Sequence, residues 1–266
     1  MIIDTHAHLA DEKFDADRDA VIARARDAGV TTLIEIAESP EGWDAAVQLA
    51  EKHPFIFACL GIHPHHAHHA GPAEWPALAQ KLRRLLQHPK VVAVGEFGLD
   101  YFRMRNSKEQ QDYLFRQQLT LAKELVKPIV IHCREAHADM QTALKEFYPG
   151  TTANMECPRP AGVIHCFSGS WEDAQAYMFR GFLLGFDGPV TYPSSKLLKE
   201  VVSRMPLQRM VLETDSPYLP PQTRRGQRNE PAYLAAIAEE IGALKRKSTA
   251  DIAKATTENA RALFRL

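Results

Sequence analysis

Short apolar runs alternate along the whole chain with longer stretches in which apolar positions recur at helical spacing. The runs are Ile2–Thr5, Thr31–Ile36, Phe55–Gly61, Val91–Gly95, Pro128–His132, Gly162–His165, Phe182–Phe186 and Met210–Glu213. They are bounded mostly by Gly, Pro or polar residues, the pattern of strands buried on both faces. Between them, Ala16–Ala28, Pro40–Lys52, Ala73–Gln87, Lys108–Leu125, Ala136–Phe147, Trp171–Arg180 and Ser195–Arg204 predict amphipathic helices, and Ala232–Leu244 and Thr249–Phe264 predict two more after the last strand. Gly29 and Gly181 stand where the first and sixth helices should end, and Asn259 falls late in the last.

Eight strand-then-helix units predict an α/β chain closed into a (β/α)₈ TIM barrel, one domain over residues 1–266. An open doubly wound sheet uses the same alternation. Eight strands are enough to close, and the polar residues gather at strand ends, which favours the barrel. There is no internal repeat, low-complexity tract or linker. Thr151–Pro160 and Pro217–Arg228 read as loops.

Composition narrows the class. Of the residues, 45% are apolar and 24% charged, ordinary for a soluble globular chain, and no run approaches the roughly 18 apolar residues of a membrane span. The first strand starts at Ile2, leaving no room for a signal peptide before it. Cys59, Cys133, Cys157 and Cys166 form no C-x-x-C pair, so reduced thiols in a cytoplasmic protein are expected. A net charge of −1 excludes the broad basic surface of a protein that coats nucleic acid, but not a local grip on a few phosphates. A monomer is the expected state.

Candidate chemistry starts at the first strand, which runs into His6-Ala7-His8. Residues two apart in an extended backbone point to one side, so both imidazoles can face one divalent cation. The other strand ends repeat the theme: Gly61-Ile62-His63-Pro64, Gly95-Glu96-Phe97-Gly98-Leu99-Asp100, His132-Cys133-Arg134, His165-Cys166-Phe167-Ser168 and Glu213-Thr214-Asp215-Ser216-Pro217. Taken alone, each reads more readily as a hydrogen-bonded loop or turn residue than as a ligand. A barrel, however, gathers all these ends into one ring. His6, His8, His132 and His165 with Glu96 and Asp215 then make a donor set for two divalent cations, with Glu96 able to place one oxygen on each. Mixed donors of this kind suit Zn²⁺ or Mn²⁺, or Mg²⁺ in a more oxygen-rich half.

Other residues read as structural. His65, His66, His68 and His69 lie in a Pro/Gly-bounded loop and are expected in solvent, as are His53, His88 and His137 beside helices. Cys133 and Cys166 follow donor histidines and should point away from them. Trp43, Trp75 and Trp171 read as packing anchors.

These motifs resemble the TatD family of metal-dependent deoxyribonucleases, within the wider amidohydrolase-like barrel superfamily. The resemblance is carried by Ile3-Asp4-Thr5-His6-Ala7-His8, Gly61-Ile62-His63-Pro64, Val94-Gly95-Glu96-Phe97-Gly98-Leu99-Asp100-Tyr101, Pro128-Ile129-Val130-Ile131-His132-Cys133-Arg134, His165-Cys166-Phe167-Ser168-Gly169 and Leu212-Glu213-Thr214-Asp215-Ser216-Pro217-Tyr218-Leu219, with Arg228-Asn229-Glu230-Pro231 after them. They span the chain in family order. The resemblance implies His6, His8 and Asp215 on one metal, His132 and His165 on the other, and Glu96 shared. Superfamily relatives that bridge their metals with a modified lysine carry it where this chain has Glu96.

The implied activity is hydrolysis of DNA phosphodiester bonds, in the family's manner a 3'-5' exonuclease on single-stranded DNA. Asp215 is the expected proton acceptor and His63 a phosphate contact or proton donor. Arg134 and Arg228 are candidate substrate contacts, with Arg224 and Arg225 in the same late loop as Arg228. The same site would also suit an amide, a lactone or an aminoacyl ester such as D-aminoacyl-tRNA, because fold does not choose the bond. A non-catalytic metal-binding protein is the third reading.

Overall fold

The computed structural model describes residues 1–150 and 159–266; Cys157 and most of the predicted loop Thr151–Pro160 lie outside the described residues. Eight parallel strands follow one another around a single sheet in chain order: β1 (Ile2–Ala7), β2 (Val30–Ala37), β3 (Ile56–Leu60), β4 (Val91–Asp100), β5 (Ile129–Arg134), β6 (Gly162–Ile164), β7 (Phe182–Phe186) and β8 (Met210–Leu212). The helices are α1 (Arg18–Asp27), α2 (Trp43–Lys52), α3 (Trp75–Leu85), α4 (Lys108–Glu124), α5 (His137–Phe147), α6 (Trp171–Phe179), α7 (Lys196–Arg204), α8 (Leu234–Lys245) and α9 (Thr249–Phe264). Each lies on a stretch the hydrophobic pattern predicts. No helix among the described residues is long and apolar enough to cross a membrane.

Local chemistry sets the helix ends. Ser107 and Gln110 form a reciprocal capping box on α4, and Ser170 and Asp173 form another on α6, each satisfying two otherwise orphaned N–H groups. Gly29 and Gly181 leave α1 and α6 with φ of +87°, a backbone region open to glycine without steric cost.

Two apolar layers hold the barrel. Inside, Ile3, Ile34, Cys59, Val92, Val130, Val163, Leu183 and Val211 contribute one side chain from every strand, and Leu263 and Phe264 of α9 pack against them. Outside, a larger cluster fills the space between sheet and helices, with Trp43 and Trp75 buried in it as anchors. Asn259 ties α9 to the start of β8 by donating to the carbonyls of Leu207 and Met210. With the interior packed by apolar side chains, the polar strand ends are left at the opposite mouth.

The seam between β8 and β1 closes past the end of β8. Ala7 and Ser216 form an isolated parallel bridge, the Asp215 N–H donates to His6 O at 2.9 Å, and the His8 N–H donates to Ser216 O at 2.8 Å. The buried Asp4 carboxylate reinforces it, accepting from the Thr214 N–H at 3.0 Å and the Thr214 hydroxyl at 2.6 Å.

β4 differs from its prediction. It continues through Glu96 to Asp100, because β5 still offers partners: Phe97 pairs Ile131 and Asp100 pairs Arg134. A register shift between Val94 and Phe97 accommodates Glu96, and β1 has a like shift between Asp4 and Ala7, where His6 sits. Such irregularities re-aim a side chain out of the regular alternation.

Candidate metal centre

The barrel brings His6, His8, His63, Glu96, His132, His165 and Asp215 into one cluster at its mouth. Three overlapping sets have donor atoms within 4.8 Å of one another: His6 with His8 and Glu96, His6 with His165 and Asp215, and His63 with Glu96 and His132. The two imidazoles of the His-x-His converge as the sequence predicts, with Nε2 atoms 3.3 Å apart. Asp215 Oδ1 lies 3.3 Å from His8 Nε2 and 3.8 Å from His6 Nε2, held there by the closing seam.

Glu96 is central, and its two oxygens face different partners. Oε2 lies 3.4 Å from His6 Nε2, while Oε1 lies 2.8 Å from His132 Nδ1 and 3.9 Å from both His63 Nε2 and His165 Nε2. Gly61 and Gly95 let β3 and β4 come together here, since a Cβ on Gly61 would stand 2.7 Å from the Gly95 backbone.

Buried carboxylates orient two of the rings from behind. Glu213 Oε1 lies 2.9 Å from His165 Nδ1, which turns Nε2 inward. Asp100 Oδ2 lies 3.1 Å from His132 Nε2, which turns Nδ1 toward Glu96. A carboxylate behind each imidazole is the usual support of a metal-binding histidine. Gly185 makes room for Glu213, because any Cβ there would collide with that carboxylate.

The charges also fit a cation. Burial pushes Glu96 and Asp215 up, but the surrounding imidazoles outweigh it and hold both carboxyls below their ordinary range. A dense, buried group of imidazoles and ionised carboxylates is what divalent ions of the Zn²⁺, Mn²⁺ or Mg²⁺ kind require.

His63 differs from the other rings in its hydrogen bonding. Its Nδ1 accepts the N–H of His65 at 3.1 Å, so the neutral ring carries its proton on Nε2, the nitrogen that faces Glu96. Burial and the nearby His132 push its pKa down to about 3, which keeps the ring neutral. That tautomer presents a donor to the cluster.

Comparison with known proteins gives the family. The model of the TatD related DNase family matches residues 3–265. The chain belongs to that family. It is 41% identical over 268 residues to the uncharacterized metal-dependent hydrolase YabD of Bacillus subtilis, and 38% identical over 272 residues to the 3'-5' ssDNA/RNA exonuclease TatD of Pantoea vagans, each match covering both chains fully. The crystal structure of YJJV, a TatD homolog from Escherichia coli, superposes with a TM-score of 0.88 at 33% identity, covering 100% of this chain and 98% of the other. This is a TatD-family metal-dependent hydrolase on a (β/α)₈ barrel.

In this TatD-family chain the cluster opens into a cleft of about 430 Å³ lined also by Glu38, His65, Asp100, Arg103, Arg105, Arg134 and Tyr218. Arg134 is exposed, and its guanidinium lies 4.0 Å above the ring centroid of Phe102. Arg228 lines no part of the cleft. Its guanidinium grips the Asp17 carboxylate with two bonds of 2.8 Å and also reaches Glu230, tying the late loop to the N-terminal region. Arg224 and Arg225 stand over the rings of Tyr233 and Tyr192.

Of the residues that the sequence left in solvent or in the core, His65 and Cys166 line the mouth. His65 is partly buried, with Nε2 3.1 Å from Asp100 Oδ2, because a 3₁₀ turn at Pro64–His69 folds the loop back over β4. His68 is exposed, as expected, and bonded to the Asn106 side chain, whereas His137 is partly buried, 2.9 Å from the Tyr177 hydroxyl. Cys133 packs as expected, 3.3 Å from His137 Nδ1. Cys166 does not follow strand alternation: β6 ends at Ile164, Cys166 has φ of +43°, and it lines the cavity beside His165. Arg103 and Arg105 carried no motif. Their only signal was their place just after a strand end bearing Glu96 and Asp100.

Proposed function

We propose that the protein is a nuclease that removes nucleotides from the 3' end of single-stranded DNA, using two divalent cations. The observation that carries this reading is the position of Glu96, whose oxygens face two separate groups of imidazoles, beneath a cleft edged by Arg103, Arg105 and Arg134. His6, His8 and Asp215 would hold one ion and His132 and His165 the other, with Glu96 between them. His165 Nε2 stands at the boundary, 3.7 Å from Asp215 and 3.9 Å from Glu96. The bound cations supply Lewis-acid polarisation of the phosphate and a lowered pKa for water.

The chain's own groups then divide the work. Asp215 accepts a proton from the attacking water as the new P–O bond forms. The P–O3' bond breaks, the proton taken up by Asp215 passes to the leaving oxygen, and His63 Nε2–H is placed to hydrogen-bond that oxygen as its charge develops. Arg134, Arg103 and Arg105 bind the phosphates of the strand and hold the reacting group in line. The 3'-5' ssDNA/RNA exonuclease activity in the name of the Pantoea relative supports the substrate and polarity.

The test is digestion of a 5'-labelled single-stranded oligonucleotide by protein stripped with EDTA and reloaded with Mg²⁺, Mn²⁺ or Zn²⁺. Metal-dependent shortening from the 3' end, lost in Asp215→Asn while metal is still bound, is the expected result. DNA left intact with every metal would overturn the nuclease reading and point to a small ester, amide or aminoacyl substrate on the same centre.

A further inference from the structure

A second cavity of about 430 Å³ adjoins the first. The two share His132, Arg134, His165, Asp215 and Leu219, so the reacting cluster lies on their common boundary. Their other walls differ in kind. The first is edged by arginines and histidines. The second is walled by Phe167, Pro189, Leu197 and Leu198, with hydroxyls from Ser168, Ser194 and Ser195, and Asp215 is the only carboxylate among its lining residues.

Leu197 is the informative side chain. It is 54% exposed at the start of α7, yet it lines the cavity. An apolar side chain left uncovered at the edge of a pocket is available to a ligand with an apolar face. We infer that this second lobe receives the terminal nucleoside of the strand, while the arginine-edged lobe holds the phosphates upstream. The inference rests on the nuclease reading and deepens it: it assigns the two sides of the scissile phosphate to two chemically different lobes.

The physical case has three parts. The volume lies within the range of small-ligand pockets and is large enough for one base with its sugar. Apolar walls favour a base's face over a phosphate, and Lys196 and Arg134 are the only Lys or Arg among the lining residues. Ser168, Ser194 and Ser195, away from the reacting cluster, offer hydroxyls that both donate and accept, so they do not read one base edge against another. The lobe therefore selects for a base being present and not for which base it is. This is the recognition that removal of one nucleotide after another requires.

The experiment compares the first cleavage of two single-stranded oligonucleotides, one with an ordinary 3'-terminal nucleotide and one with an abasic residue there. The metal-loaded wild type should favour the ordinary end by roughly tenfold in kcat/KM, the scale of one well-packed base. Leu197→Trp, which fills the lobe from its edge, should bring that ratio close to one, with its thermal melting recorded beside wild type. Cleavage of both ends at equal rates by wild type would overturn the lobe assignment and leave the nuclease reading standing, as would a folded Leu197→Trp with the wild-type ratio. Intact DNA in the wild type would overturn both.

Discussion

The backbone N–H of Asp215 donates to the carbonyl of His6 at 2.9 Å. The bond closes the barrel, and it sets two residues of the metal centre side by side. β8 itself ends at Leu212, so the closing contact is made by the segment that bears Asp215. Barrel integrity and site geometry are one feature here.

Thr214 locks this seam through Asp4, so Thr214→Val should damage both. The isosteric change removes the hydroxyl that donates to Asp4 Oδ2 at 2.6 Å and leaves a buried carboxylate oxygen without that partner. A loss of about 1–3 kcal/mol is expected from urea denaturation. Because Asp215 follows directly, kcat on DNA should fall more than KM rises.

His63→Ala should lower the rate on DNA by about 10²–10³-fold, the usual cost of removing a hydrogen-bond donor from a developing oxyanion. On a phosphodiester with a p-nitrophenol leaving group the loss should be far smaller, since that oxygen leaves without a proton. Equal losses on both substrates would assign His63 to phosphate binding instead.

Arg134 lines both lobes and is exposed. Arg134→Ala should raise KM for single-stranded DNA about tenfold with a smaller change in kcat. The dependence of binding on salt should also weaken, by about 0.7 in the logarithmic slope if this guanidinium neutralises one phosphate. Filter binding in Ca²⁺ across a salt series would measure it.

Glu35 introduces a pH dependence of folding outside the metal centre. Its carboxylate is buried and accepts the N–H groups of Leu9 at 2.6 Å and Ala10 at 3.1 Å. Burial pushes its pKa up to about 7, with the His8 charge and those two bonds offsetting part of the rise. The folded state thus keeps a proton that the unfolded chain releases near 4.5. This contribution is complete below pH 4.5 and is lost as pH rises through 7, a change of about 3 kcal/mol. The stability advantage of wild type over Glu35→Gln should shrink by that amount between pH 4.5 and 8 in metal-free protein.

Much of this architecture is legible in the chain. Strands buried on both faces read as short apolar runs, and helices between them as amphipathic stretches, so each element falls where the pattern predicts. The misses have local causes. β4 outran its prediction because its second half is Glu96-Phe97-Gly98-Leu99-Asp100, whose glycine and acids argue against a strand until β5 is seen beside it. His65 read as a solvent residue because Asp100, its partner, lies 35 positions away. The ion pair of Arg228 was hidden for a similar reason: Asp17, which holds it, stands at the other end of the chain.

What the sequence determined by itself is the order of strands and helices, the His and carboxylate residues at the strand ends and the family. Those follow from spacing and residue type, which are local properties. Only the tertiary structure decided which oxygen of Glu96 faces which ring, which nitrogen of His63 carries the proton, and that two unlike lobes meet at Asp215. Each of these depends on packing across the barrel mouth, between residues far apart in the chain, and a one-dimensional pattern carries no distances.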